Sequence, residues 1–183
     1  MIIKKQGETA GSVSEAVALS NHAEKLFTDF LVQADVDMLP TKRREESLST
    51  LKRLGVVTEV EAKTIAAILA KGAGSTRVDM NMIVSEIDAA RNSAVNPVTS
   101  AILNMMRVAP AEQTSGARRI SISDKDWVEI GDGIIVGAAG GATAGAVVGA
   151  AGTAGFGTLA GAIGGAIMGG VIGGAVKAGF SHL

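Results

Sequence analysis

Cysteine and tyrosine are absent from this chain of 183 residues, and aromatic residues of all kinds make up only 3% of it. Without cysteine there is no disulfide framework, no thiolate nucleophile and no thiolate metal site. The two histidines, His22 and His182, stand too far apart in sequence to suggest a ligand-spaced pair. No ordered nucleophile–base set or metal-ligand spacing is present, so an enzyme is the least supported class and no cofactor or metal is expected. An excess of positive charge is lacking too: the net charge is −1 overall and −2 over the first 132 residues, which gives no general pull on nucleic acid. The N-terminus, Met1-Ile2-Ile3-Lys4-Lys5, turns polar at Gln6 without an apolar run of signal-peptide length, so no classical secretory leader is expected. The most consequential absence is local. From Gly133 to Val176 there is no charged residue at all.

What is present before that run reads as a water-soluble helical domain, residues 1–110, of about five helices. Ser12 and Glu15 form a capping-box pattern, and Leu19, Ala23, Leu26 and Phe30 recur at helical spacing, which predicts a first helix over residues 12–36. Thr41 can cap a second, whose face is Leu48, Leu51 and Leu54 and whose stop is Gly55. Thr58 and Glu61 form another capping box before Ala62, Ile65, Ile68 and Leu69. Met80, Ile83, Val84 and Ile87 mark a fourth helix ending near Arg91 or Asn92. Asn96-Pro97 is a cap followed by a first-turn proline, opening a fifth with Val98, Ile102, Met105 and Met106.

Two motifs in this domain invite sharper readings and do not sustain them. The helical pair around Gly55 resembles a helix-turn-helix, with Lys42, Arg43, Arg44, Lys52 and Arg53 as phosphate contacts. Glu45 and Glu46 sit among those bases, and Glu59 and Glu61 open the would-be recognition helix, so the basic residues are read as a solvated face. Lys71-Gly72-Ala73-Gly74-Ser75-Thr76 lacks the Gly-Lys-Ser/Thr order of a phosphate loop and follows a helix instead of a strand, so it is read as a helix stop. Residues 111–130 read as a linker and interfacial helix, with Ser123 as a cap. Trp127, the only tryptophan, is placed to anchor at a membrane–water boundary.

Glycine returns every fourth position in the charge-free run: Gly133, Gly137, Gly141, Gly145 and Gly149, then Gly157, Gly161, Gly165, Gly169 and Gly173. Four residues is close to one helical turn, so each series draws a narrow groove where a neighbouring backbone approaches closely. A single helix of these 44 residues would be about 66 Å long, roughly twice the apolar thickness of a bilayer. The expectation is therefore a transmembrane hairpin, residues 131–183, with spans of about 133–152 and 157–176 and a break near Phe156. Phe180, with Trp127, falls on the common side. Leu159, Ile163, Ile167 and Val171 give the second span a lipid-suited ridge. The matching row of the first span, Ile135, Ala139, Thr143 and Val147, is poorer, so the first helix is expected to be the more protein-covered.

The doubled ladder resembles glycine-zipper membrane proteins and the helical hairpins of glycine-rich, colicin V-like bacteriocins and related membrane-acting toxins. The resemblance covers the last quarter of the chain and implies a lipid bilayer as partner and membrane activity. It departs from those short peptides in its long helical domain and in lacking a convincing double-glycine leader site. The fold class expected is all-α, a helical bundle followed by a glycine-zipper hairpin. The function expected is membrane insertion, soluble beforehand, with homo-oligomerisation through the glycines and pore formation or permeabilisation of the bilayer, the helical domain serving regulation or delivery. The alternative is an anchor that displays residues 12–109 to a protein partner, and a third reading has the ladders pack a soluble helical pair or drive aggregation.

Overall fold

Local hydrogen bonding explains where the helices begin and end. In the computed structural model the backbone is described for residues 18, 21, 22, 24, 25, 28 and 29, and for 40–73, 80–111, 124–152 and 157–180. Among these, six helices follow one another with no strand: α1 Pro40–Arg53, α2 Glu59–Ala73, α3 Met80–Ser93, α4 Pro97–Ala111, α5 Asp124–Gly152 and α6 Thr158–Phe180. The described residues thus form an all-helical fold, and the last two of their helices are apolar. The described residues between 18 and 29 are also helical. Most of the expected first helix, the linker beyond Ala111, Phe156 and the side chain of Phe180 lie outside the described residues.

Helix α1 begins at Pro40, one residue before the expected Thr41 cap, because a first-turn proline loses no helical hydrogen bond. It ends as the glycine predicts. Gly55 has φ of 72°, its N–H donates to Lys52 O at 2.9 Å, and Val56 N–H donates to Leu51 O at 3.2 Å. These two bonds form a Schellman stop, which needs the left-handed conformation that glycine adopts without strain.

The capping box of α2 forms as read: Thr58 N–H and Oγ1 each donate to Glu61 Oε2 at 2.8 Å, and Glu61 N–H donates to Thr58 Oγ1 at 3.2 Å. Glu61 also reaches the entrance of α4. Its Oε1 accepts from the N–H groups of Val95 and Asn96, both at 2.9 Å, and its Oε2 from Asn96 Nδ2 at 2.8 Å. One carboxylate therefore satisfies donors at the starts of two helices. Burial is the largest single influence on this carboxyl and raises its pKa, but the bonds from Asn96 and Thr58 together hold it at about 2, below the ordinary 4.5. A carboxylate with a lowered folded pKa stabilises the fold fully above its unfolded value and loses that contribution as pH falls through the folded one. Urea midpoints are therefore expected to decline from pH 4.5 towards pH 2, with the gap between the parent chain and Glu61→Gln narrowing over that window.

One apolar core joins α1 to α4 with α5. Leu51, Ile65, Leu69, Ile83, Ile87 and Ile102 are almost fully buried, as their spacing predicts, and Trp127, Ile134 and Ile135 belong to the same cluster. Helix α5 packs on α1, α2 and α4 and then along α6, which itself touches α4. It runs for 29 residues without a break. The expected short helix after Ser123 and the boundary at residues 130–131 therefore fall inside a single element.

Candidate functional site

The glycine series meet each other. Helices α5 and α6 run antiparallel, and Gly133, Gly137, Gly141, Gly145 and Gly149 face Gly173, Gly169, Gly165, Gly161 and Gly157. A Cβ built on Gly137, Gly141 or Gly145 would overlap the carbonyl oxygen of its opposite glycine and stand 3.0 to 3.2 Å from the Cα of the next. The reverse holds from α6, so ten consecutive ladder positions have backbone against backbone. Such proximity brings Cα–H groups towards carbonyl oxygens and maximises dispersion contact, the forces that hold glycine-rich helices together without a hydrophobic contribution from side chains. The ladder expected to join chains is filled here within one chain.

A different rule governs four further glycines, each of which receives a bulky side chain: at the joint between α5 and the body Gly72 lies under the Trp127 ring and Gly131 under Leu69, whereas Gly170 of α6 lies under Met105 of α4 and Gly174 of α6 under Ile134 of α5. The Trp127 indole is 1% exposed, and its Nε1–H donates to Met106 O at 3.1 Å. A membrane-interface anchor needs an accessible ring; in this arrangement Trp127 is a core residue, held by a glycine-sized recess and by a partner for its N–H.

An ion pair completes the joint. Arg44 Nε and Nη2 donate to Asp132 Oδ1 and Oδ2 at 2.6 and 3.0 Å, and the two side chains are only 10% and 12% exposed. The reading of the basic residues as a solvated face is thus corrected for Arg44, whose fork matches a carboxylate from α5. Asp132 is the last charge before the charge-free run, so the pair fixes the apolar helix to the body at its point of departure.

Two helices are long and apolar enough to cross a membrane, Trp127–Ala150 and Thr158–Lys177. Of their apolar windows, 67% of the first is buried inside the protein and 33% of the second. No protein-family model, curated protein or solved structure matches this chain.

The difference in burial follows the side-chain rows. Ile135 and Ala139 are fully buried, and Thr143 returns its hydroxyl to Ala139 O at 2.9 Å. Leu159 and Val171 on α6 are exposed, and so are Met168, Ile172 and Val176. Between the distal parts of α5 and α6 an apolar groove of about 460 Å³ runs over Gly145 and Gly165 and is walled by Val148, Met168 and Ile172. Among the described residues no group of three or more His, Asp or Glu is placed to hold a metal ion.

Asp132, Arg44 and the recessed glycines were not singled out from sequence as a joint. A carboxylate directly before an apolar run was the available signal for Asp132. The positions of Gly131, Gly170 and Gly174, out of step with the four-residue series, were the signal for the recesses.

Proposed function

We propose that this chain is a membrane-inserting protein whose helical body holds the glycine hairpin in a water-stable form, and that the released hairpin enters a bilayer, assembles and permeabilises it. The supporting observation is the mismatch between the buried and free lengths of α5. Apart from Glu129, residues 127–142 of α5 are buried, leaving the ten from 143 to the helix end at 152, of which 143, 145 and 147–150 are less covered. Ten residues of helix reach about 15 Å, half of a hydrocarbon core of roughly 30 Å. Full insertion thus requires α5 to leave α1, α2 and α4. Exposed Leu159, Val171 and Val176 would then meet lipid instead of water. Because the ladder glycines are already paired, assembly would use the outer faces of the hairpin or follow its opening.

A covalent lock tests the release step. The Leu69 Cγ position, where a cysteine sulfur would sit, is 3.6 Å from a Cβ at Gly131, and replacing Leu69 removes the atom that Cβ would strike. The chain has no other cysteine, so Leu69→Cys with Gly131→Cys can form one disulfide only. Dye-loaded anionic vesicles are expected to leak with the parent chain and with the reduced double variant, and to stay sealed with the oxidised one. Insertion without leakage by the parent chain would favour the anchor reading over the pore. Equal leakage by the oxidised and reduced forms would refute release.

A further inference from the structure

Two consecutive residues of α4 hold the two helices of the hairpin. Met106 O accepts from the Trp127 indole of α5 at 3.1 Å, and Met105 seats its thioether on Gly170 of α6. In the body α6 packs on α4, so the Met105 contact is part of the body's grip on the second apolar helix. Its recess is closely filled. A Cβ on Gly170 would stand 2.8 Å from Met105 Cε, 3.5 Å from its Sδ and 3.4 Å from Ile134 O. The thioether thus lies against helix backbone, where N–H groups are spent on helical hydrogen bonds and the polar atom beside it is a carbonyl oxygen. A methyl and a polarisable sulfur suit such a place, and an added acceptor oxygen does not.

Exposure separates Met105 from other methionines. Met106 is 1% exposed, Met82 and Met168 are 51% and 63% exposed, and Met105 is partly buried against the core. A small oxidant reaches Met82 and Met168, whose side chains stand mainly in solvent, and does not reach Met106. Of these four, Met105 is the one both reachable and engaged between helices.

We propose that Met105 is a modification site, at which a peroxide converts the thioether to the sulfoxide and so loosens the grip of α4 on the hairpin. A lone pair of Sδ attacks one oxygen of hydrogen peroxide. The S–O bond forms as the O–O bond breaks, sulfur gives up two electrons, and the other oxygen leaves with both hydrogens as water. Turned inward, the new oxygen faces Ile134 O with no donor to pair it; turned outward, it draws the thioether away and empties the recess over Gly170. Either way α4 shifts from α6, and the adjacent Met106 carbonyl moves with it, away from Trp127. Reduction of the sulfoxide to the thioether resets the contact. None of this depends on the hairpin entering lipid.

The test uses the full-length chain without lipid, with Trp127, the only tryptophan, as reporter. Parent and Met105→Leu chains are treated with hydrogen peroxide, oxidation at each methionine is read by peptide mass spectrometry, and acrylamide quenching of the indole is measured before and after. Leucine nearly conserves the volume and takes up no oxygen. Quenching is expected to rise several-fold in the parent in step with oxidation at Met105, and to return after treatment with methionine sulfoxide reductase and dithiothreitol. In Met105→Leu it is expected to stay unchanged although Met82 and Met168 are oxidised. The rise and its reversal are read in the parent alone, so the test does not rest on the folding of the variant. An untouched Met105 when Met82 and Met168 are fully oxidised, oxidation of Met105 with unchanged quenching, a rise that persists after the sulfoxide is reduced, or an equal rise in Met105→Leu would each overturn the proposal.

Discussion

Gly141→Ala is expected to destabilise the protein by about 3 kcal/mol or more, the upper end of overpacking effects, although alanine normally improves a helix. The methyl group would overlap Gly165 O and the Cα of Gly169 would be 3.0 Å away, and backbone cannot rotate aside as a side chain does. The two helices must separate along the whole ladder, which also relaxes the contacts at Gly137 and Gly145. Gly164 is the control within the same stretch. It is exposed and a Cβ there meets nothing within 4 Å, so Gly164→Ala is expected to stabilise by about 0.5–1 kcal/mol through helix propensity alone. Urea unfolding of the two variants against the parent chain should therefore show shifts of opposite sign. Equal shifts would mean that the helices do not touch at the glycines.

Removing one partner of the Arg44–Asp132 pair gives the other large effect. Asp132→Ala leaves the guanidinium buried without its carboxylate, and Arg44→Ala leaves the carboxylate buried without its cation. Each single change is expected to cost about 3–5 kcal/mol, whereas Arg44→Met with Asp132→Leu, which fills the space with apolar groups, should fall within about 1 kcal/mol of the parent or exceed it. Urea unfolding of each variant against the parent chain measures all three. If the membrane proposal holds, the single variants should also release dye from vesicles faster than the parent chain, because the connection of α5 to α1 is weakened. The apolar double variant, with the joint restored, should not.

Much of the fold was legible because it rests on local chemistry. The Thr58–Glu61 box, the Asn96-Pro97 start and the Gly55 stop each involve residues only a few positions apart, so their pattern appears in the sequence as written. The ladder was legible for the same reason, including the prediction that the first apolar helix is the better covered. What failed to show was long-range. Arg44 and Asp132 are 88 positions apart, and nothing near either says that the other faces it. Trp127 carried a true signal, a lone indole before an apolar run, but that signal describes two situations equally well: a ring at a lipid boundary and a ring closing a protein core. The recess at Gly72, far from Trp127 in sequence, decides between them. The basic cluster was misjudged at Arg44 because helical periodicity places a residue on a face without saying what covers that face.

The unbroken course of α5 has a thermodynamic meaning. Trp127 and Ile130 at its start are core residues of the body, while Gly145 and Gly149 further along it belong to the hairpin ladder. Under the proposed release, body stability and hairpin availability are a single equilibrium. Any ligand that binds the released hairpin in preference to the packed one lowers the apparent melting temperature of α1 to α4 by mass action, even without touching them. Conversely, each substitution that strengthens the body raises the concentration of that ligand needed to draw the hairpin out. The helical body would thereby serve as the tuning element of the chain, setting a threshold for release through its own folding free energy.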